Sequence, residues 1–390
     1  MSSLFPPFAI GGAEQIAAGL ARALVRLGHE VNVISTGERS GTDDWEGIRV
    51  WRVAPWNLYW RFAQEREQPG RLTRAAWHAV DLWNPSVFRS VGQVLDRVRP
   101  EVVNTHNIDG FSPAVWQAAR KHTSAIVHTL HDYHLVCPRA TMRRADGTVC
   151  ERLCGLCGIY ARYHRLFQRY VRTLIAPSRA IAEMHQQSGW RGPVVVVVRN
   201  GVDVPPVQLP RAPTGGPLRV VFLSRMEREK GCETLLSAMP RCRDIEFHVA
   251  GRGPYEERFS ELADKTANVV WHGFVTGDEK HDLLLNADVF LQLSECRENA
   301  PLGLIEARRY GLYLVGTAIG GIPEQIEIPR TGRLIPVRDP EKLCGTLQEL
   351  ARSAETLRSG RDERVRTNTA YGTREMAEGY LDVFRSALAS

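Results

Sequence analysis

The second half of the chain alternates between two hydrophobic periods, and few folds satisfy that. After "RVVFLS" (Arg219–Ser224) come a helical stretch "CETLLSAM", an apolar run "EFHVAG", helical "YEERFSELADK", apolar "VVWHGF", helical "GDEKHDLLLNA", apolar "VFLQLS", helical "PLGLIEARRYG" and apolar "LYLVGT". Short apolar runs without polar alternation predict strands buried on both faces, the signature of a parallel sheet covered by helices. The first half repeats the pattern less regularly: helical "AEQIAAGLARALVRLGHE", then "VNVI", "EVVNTH", helical "SPAVWQAARKH", "AIVHTLH", "TLIAPS" and "PVVVVVRNGVD". A Pro/Gly-rich stretch between them, "PPVQLPRAPTGGPL", reads as a linker. The expected fold class is therefore α/β, with two Rossmann-like doubly wound domains. The N-terminal domain spans 1–204, the linker 205–218 and the C-terminal domain 219–372. A last helix, "TREMAEGYLDVFRSALA", occupies 373–390. Ligands of such folds bind at the carboxyl ends of strands and in clefts between domains.

Composition narrows the function classes. With 390 residues, 43% hydrophobic and 24% charged, the chain reads as a soluble globular protein with length for two cores. No apolar run approaches a spanning helix and no secretory signal opens the chain, so a cytoplasmic location is expected. The net charge of +6 suits an anionic ligand or an anionic lipid surface, and lacks the dense basic stripe of a nucleic-acid partner. Four of the eight cysteines, Cys137, Cys150, Cys154 and Cys157, lie close in sequence. Thiolates at short spacing can hold a structural zinc, and reduced, partly buried thiols are the alternative.

Two places carry chemistry in the second domain. "SRMEREK" puts Arg225 and Lys230 where a buried strand ends. In "SECRENAPLGLIEARRYG", Pro301 suits the first position of a helix and Gly311 its stop, so amides near Ala300, Leu302 and Gly303 form an anion site. Two cations beside a helix N-terminus suit a diphosphate. Glu298 and Glu306 are separated by Glu-x7-Glu, about 12 Å if helical throughout. That is too far for a retaining glycosidase pair, whose carboxyls stand about 5–5.5 Å apart. They read as two separate acceptors for hydroxyl groups. In the first domain, Gly11 and Gly12 lead into a helix, where backbone can approach a ligand closely, and a plain turn is the alternative. His131 stands at the carboxyl end of "AIVHTL", while His128 and His134 read as packing or surface.

These residues resemble glycosyltransferase family 4, retaining nucleotide-sugar enzymes of the GT-B fold. The resemblance spans nearly the whole chain. It rests on "GGAEQIAAGLARALVRLGHEVNVI", "HTLHDYH", "APSRA", "RNGVD", "SRMEREKG", "VAGRGP", "HGFV", "ADVFLQLSECRENAPLGLIEARRYG" and "GGIPEQI", in that order. It implies that Gly11 and Gly12 approach the donor phosphates or sugar, and that Arg225 and Lys230 bind the diphosphate and stabilise its leaving charge. Glu298 would hold hydroxyls of the donor sugar, Glu306 those of the ribose, and His131 would contact the sugar near the reaction centre. Gly251, Arg252 and Gly253, with the backbone at Phe274–Val275, would frame the base. The implied donor is a UDP- or GDP-sugar, with no metal required. The implied acceptor is a carbohydrate or lipid-linked glycan, as in polysaccharide or glycoconjugate biosynthesis. The last helix would return to the first domain.

Two departures stand out. Only "MSSLFPPFAI" precedes Gly11, too short for a full strand and loop, so a first strand is expected to be missing or the start late. "ENAP" stands where many members carry a Gly-containing turn. The acceptor side is less legible. Trp51–Phe62, "WRVAPWNLYWRF", is expected either to stack on sugar or lipid or to pack on its own domain. Arg162, Arg165, Arg169 and Arg172 are expected to share a helical face suited to anionic lipid, or to an ordinary solvated surface. A nucleotide-sugar epimerase on the same fold and a non-catalytic nucleotide-sugar-binding protein are the competing readings.

Overall fold

A computed structural model describes residues 1–8, 11–62, 69–144, 147–204, 215–368 and 371–389. The chain divides into two units. One comprises Met1–Met142, Cys150–Gly201 and Thr373–Ser390; the other comprises Arg143–Val149 and Val202–Gly372. Most of the expected linker, 205–214, lies outside the described residues.

In the first unit, α1 (Gly12–Arg26) leads to β1 (Asn32–Thr36), then to a hairpin of β2 (Gly41–Trp45) and β3 (Ile48–Val53). Next come α2 (Arg71–Leu82), α3 (Pro85–Val98), β4 (Val102–Thr105), α4 (Ala114–Ala119), β5 (Ala125–Thr129), α5 (Gly155–Arg165), β6 (Thr173–Ala176), α6 (Arg179–Gln187) and β7 (Val194–Val197). The strands form two sheets, ordered β1-β3-β2 and β4-β5-β6-β7; the second is parallel throughout. Every residue of β5 is buried, because helices cover both faces. The hairpin escapes the sequence reading because "GTDDW" is polar and exposed. At the other end, the expected arginine face breaks up. α5 stops at Arg165, Gln168–Tyr170 form a 3₁₀ turn, and the Arg172 amide donates to Ile126 O of β5, just ahead of β6. Arg162, Arg165, Arg169 and Arg172 therefore share no single helix, and it is Leu156 and Ile159 that α5 exposes, at 81% and 68%.

The second unit is more regular. It runs β8 (Leu218–Leu223), α7 (Cys232–Ala238), β9 (Ile245–Ala250), α8 (Glu256–Lys265), β10 (Val269–Trp271), α9 (Gly277–Asn286), β11 (Val289–Gln292), α10 (Leu302–Arg309), β12 (Tyr313–Thr317), β13 (Gly332–Ile335), α11 (Pro340–Arg352), α12 (Ala354–Ser359) and α13 (Arg361–Thr367). Its six strands are all parallel, in the order β10-β9-β8-β11-β12-β13. The chain builds outward from β8 to β10, then returns to the other side of β8 with β11. Neighbouring strands β8 and β11, in register at Val220–Val289, thus mark the point where the strand order reverses. Apolar clusters fill both faces. Behind the sheet, the buried Arg358 guanidinium makes a two-bond pair with Asp288 (2.9 and 2.8 Å) and donates to Gly215 O and Pro217 O, fixing the chain's entry into β8. Cys242 and Cys344 are joined by a disulfide. The last helix, α14 (Thr373–Ala389), belongs to the first unit and packs on α1 and β5.

Candidate functional site

The carboxyl ends of β8 and β11 carry the densest polar chemistry of the second unit. From β8, the chain passes through Ser224–Glu227 into a 3₁₀ turn at Arg228–Lys230. Lys230 Nζ meets Glu298 Oε1 at 2.6 Å, with the two side chains only 14% and 17% exposed. Glu298 Oε1 also accepts from Ser294 Oγ at 2.9 Å, and that hydroxyl accepts from Gln292 Nε2 at 2.8 Å. Burial alone would lower the Lys230 ammonium, but the Glu298 carboxylate outweighs it and the net shift is upward. The cation is thus fixed and charged. Burial, with Glu298 next, pushes the neighbouring Cys296 thiol up to about 12 and keeps it neutral. Arg225 stands differently. It is 61% exposed and bonds Glu227 at 2.7 Å and Glu229 at 3.3 Å, leaving its guanidinium on the solvent side of the loop.

Pro301 is the N-cap of α10 rather than its first helical residue, correcting the expected start by one position. Its ψ of 124° is extended, and helical geometry begins at Leu302. The Leu304 and Ile305 amides donate to Pro301 O at 3.2 and 3.3 Å. Those of Leu302 and Gly303 remain beyond the helix's own bonding, as the first turn requires. Glu306, further along α10, pairs with Lys280 Nζ at 2.7 Å. The two glutamates thus have separate lysine partners. They are two independent polar positions, not a carboxyl pair.

Close backbone packing shapes the floor. A Cβ on Gly251, whose φ is +155°, would stand 1.8 Å from Ser224 O, so only glycine lets β9's end pass the β8 loop. Beyond Gly253, Arg252 lies over the Phe274 ring at 4.9 Å, and Phe274 and Val275 follow β10. Gly320 has the same function for the other loop. Its φ is +59°, a Cβ there would stand 2.4 Å from Glu298 O, and the next amide, Gly321, donates to that oxygen at 2.7 Å.

The first unit holds a second polar centre, built on imidazoles with carboxylates around them. His131 follows β5, and its Nε2 lies 2.8 Å from His106 Nδ1, with the rings stacked at 5.1 Å. Burial pushes His131 down to about 4, and burial followed by the proximity of His131 lowers His106 well below its usual value. At neutral pH both are uncharged imidazoles, able to hydrogen-bond but not to act as cations. They border a cavity of about 60 Å³ with Asp109, Asp132 and His134. Gly11 caps α1, and its amide donates to Glu14 Oε2 at 2.8 Å, so that N–H is already engaged; Gly12 opens the helix.

The zinc expectation is corrected. Among the described residues no group of three His, Cys, Asp or Glu side chains is placed to hold a metal ion. Cys137 is packed in the apolar core, whereas Cys154 is exposed at the cap of α5 with Cys157 one turn on. The four thiols still lie near one another: burial, then the Cys154 contact and the proximity of Cys137 and Cys150, push the Cys157 thiol up to about 12.

Sequence reasoning missed Ser294, Lys280, Gly320 and His106. Only His106 had a readable signal, since "EVVNTH" places it at a strand's carboxyl end just as "AIVHTLH" places His131. Ser294, Lys280 and Gly320 act through contacts 4, 26 and 22 residues away from their partners in sequence, which periodicity does not report.

Two α/β units, each built around a parallel sheet and one carrying a charged pair at the reversal of its strand order, have the architecture of GT-B glycosyltransferases. Residues 10–205 match the profile described as Glycosyltransferase Family 4, and residues 217–353 match Glycosyl transferases group 1. The chain belongs to glycosyltransferase family 4. It is 24% identical over 327 residues to an uncharacterized 42.6 kDa protein in the cps region of Klebsiella pneumoniae, covering 83% of this chain and 86% of that one. It is 27% identical over 410 residues to glycogen synthase of Mycobacterium tuberculosis, covering 98% and 93%. Anabaena Alr3699/HepE, solved in complex with UDP, shares the fold at TM-score 0.71 and 16% identity over 99% of each chain. No helix among the described residues is long and apolar enough to cross a membrane.

Proposed function

We propose that the chain transfers a sugar, with retention of anomeric configuration, from a nucleoside diphosphate sugar to a carbohydrate or lipid-linked glycan acceptor. The observation that carries this reading is the Lys230–Glu298 pair at the β8/β11 reversal, beside the open amides of α10. A fixed ammonium and two free N–H groups suit the diphosphate, whose negative charge grows as the bond from anomeric carbon to phosphate oxygen breaks. Lys230, with Arg225 at the loop's outer edge, stabilises that charge without a metal ion. Glu298, held in place by Lys230 and Ser294, accepts from hydroxyls of the donor sugar. Glu306 accepts from the ribose. Gly251, Gly253 and Val275 line the base, with Phe274 as its flat neighbour. From the first unit the resemblance assigns Gly11 and Gly12 to the phosphates and His131 to the donor sugar; a neutral imidazole fits a hydroxyl better than a phosphate. The acceptor oxygen forms the new bond on the face the phosphate leaves, and its proton passes to the departing diphosphate.

The test is a product assay with UDP-, GDP- and ADP-sugars, reading the anomeric configuration by NMR with and without EDTA. Retention with EDTA-insensitive turnover supports the reading; inversion or loss of turnover with EDTA sinks it. Peripheral contact with an anionic membrane is a second reading, favoured by exposed Leu156 and Ile159 beside Arg162 on α5. Failure to sediment with anionic liposomes at low salt removes it.

A further inference from the structure

The start of α5 brings two thiols together. Cys154 is the N-cap of that helix, in extended backbone at φ −73° and ψ 169°, and its carbonyl accepts from the Gly158 amide at 2.7 Å. Cys157 follows in the first turn, in a Cys-x-x-Cys spacing. Residues three apart on a helix are neighbours on one face. The side chains are in contact, with the Cys157 thiol donating to the Cys154 sulfur.

Their surroundings differ. Cys154 is exposed and Cys157 is half-buried. A Cβ added to Gly155 or Gly158 would meet nothing within 4 Å, and Leu156 between the thiols is exposed, so the approach to Cys154 is open. The Cys157 amide, then its thiol, face the Cys154 sulfur and hold the Cys154 thiol below its usual value, the effect of a helix start on a cysteine. Packing does not account for the pair. Cys137 serves the core as a small hydrophobe, but an exposed thiol adds nothing to a core, and its reactivity is what remains.

We infer that Cys154 and Cys157 form a dithiol site for low-molecular-weight disulfides, with Cys154 attacking, Cys157 resolving, and an intrachain disulfide as the product. The Cys154 thiolate attacks one sulfur of the external disulfide. A mixed disulfide forms at Cys154, and the first external thiolate leaves. That bond removes the thiolate which held the Cys157 proton. Cys157 then attacks the Cys154 sulfur, its proton passes to the second external thiolate, and the Cys154–Cys157 bond closes. Two protein thiols are oxidised and one external disulfide is reduced to two thiols. The reaction needs nothing from the strand ends of the second unit, so it stands apart from sugar transfer.

The test uses the full-length protein, gently reduced and desalted, with glutathione disulfide as the probe. Samples are quenched in acid, alkylated and mapped by peptide mass spectrometry. The wild type is expected to give a Cys154–Cys157 disulfide, with Cys137, Cys150, Cys232 and Cys296 still alkylated. Cys157→Ser should stop at a stable glutathione adduct on Cys154. Cys154→Ser should slow oxidation of Cys157 at least about tenfold, because a thiol pushed up to about 12 is almost wholly protonated at neutral pH. A wild-type adduct on Cys154 that never closes overturns the inference. So does a bond from Cys154 to Cys137 or Cys150, or first reaction at any other thiol. Thiols that react only after a chelator has removed zinc would overturn it as well.

Discussion

The strand ends of the two units solve the same geometric problem with opposite electrostatics. After β5, the first unit places stacked, buried imidazoles that carry no charge at neutral pH. After β8 and β11, the second unit places an ammonium and a carboxylate 2.6 Å apart, both mostly buried and the ammonium held charged. The difference is set by partners. Lys230 has a carboxylate to offset desolvation, whereas burial alone sets the downward shift of His131. A charged end can act on a diphosphate, while a neutral end can only offer or accept hydrogen bonds. On the proposed reading, the charged end meets the donor's phosphates and the neutral end meets hydroxyls.

The comparison breaks first at Lys230. Lys230→Ala is expected to cut kcat/KM by roughly 10²–10³, the scale of losing one charge-stabilising group. It should also lower Tm, because Glu298 then keeps a mostly buried charge with no cation beside it. A loss under tenfold would show that the charged end is structural. Glu298→Gln sharpens the assignment. It keeps the shape and the Ser294 contact, so transfer should fall about 10²-fold while binding of the bare nucleoside diphosphate changes by less than about fivefold. Equal losses in both would place Glu298 with the phosphate instead of the sugar.

His131→Asn tests the neutral end. Transfer should fall about tenfold, as for one lost neutral hydrogen bond. The variant has a second signature. Folded His131 takes up a proton only near pH 4, against about 6.5 when unfolded, so it destabilises the protein as pH falls from about 6.5 toward 4 and has no such effect above. His131→Asn should flatten part of that acid slope in melting curves recorded across it. Lys280→Ala is the mildest. Glu306 keeps access to water, and the expected effect is a few-fold rise in donor KM with kcat unchanged. A drop in kcat would move Glu306 toward the reacting atoms.

The second unit was the more legible of the two. Its strands are buried on both faces, so each appears as a short apolar run, and β8 through β12 fall where "RVVFLS" to "LYLVGT" place them. The first unit hid its exposed hairpin, because "GTDDW" carries no apolar period. The candidate site was legible as residue types at strand ends, not as contacts. Lys230 and Glu298 were each marked, yet nothing in a 68-residue separation announces that they bond each other. The reversal of strand order between β8 and β11 brings them together, and topology is what periodicity leaves out. The cysteines show the converse limit: the four stay near one another in space, yet spacing does not report that no three of the described His, Cys, Asp or Glu side chains are placed to hold a metal ion.

The most direct measurement is calorimetric titration of UDP, GDP and ADP into the wild-type protein and into Lys230→Ala. The account predicts that one nucleoside diphosphate binds the wild type, and that Lys230→Ala weakens it by at least about tenfold while the matching nucleoside, which lacks phosphate, binds both proteins alike. Equal diphosphate affinity in the two proteins would contradict the assignment of the β8/β11 strand ends to the donor's phosphates.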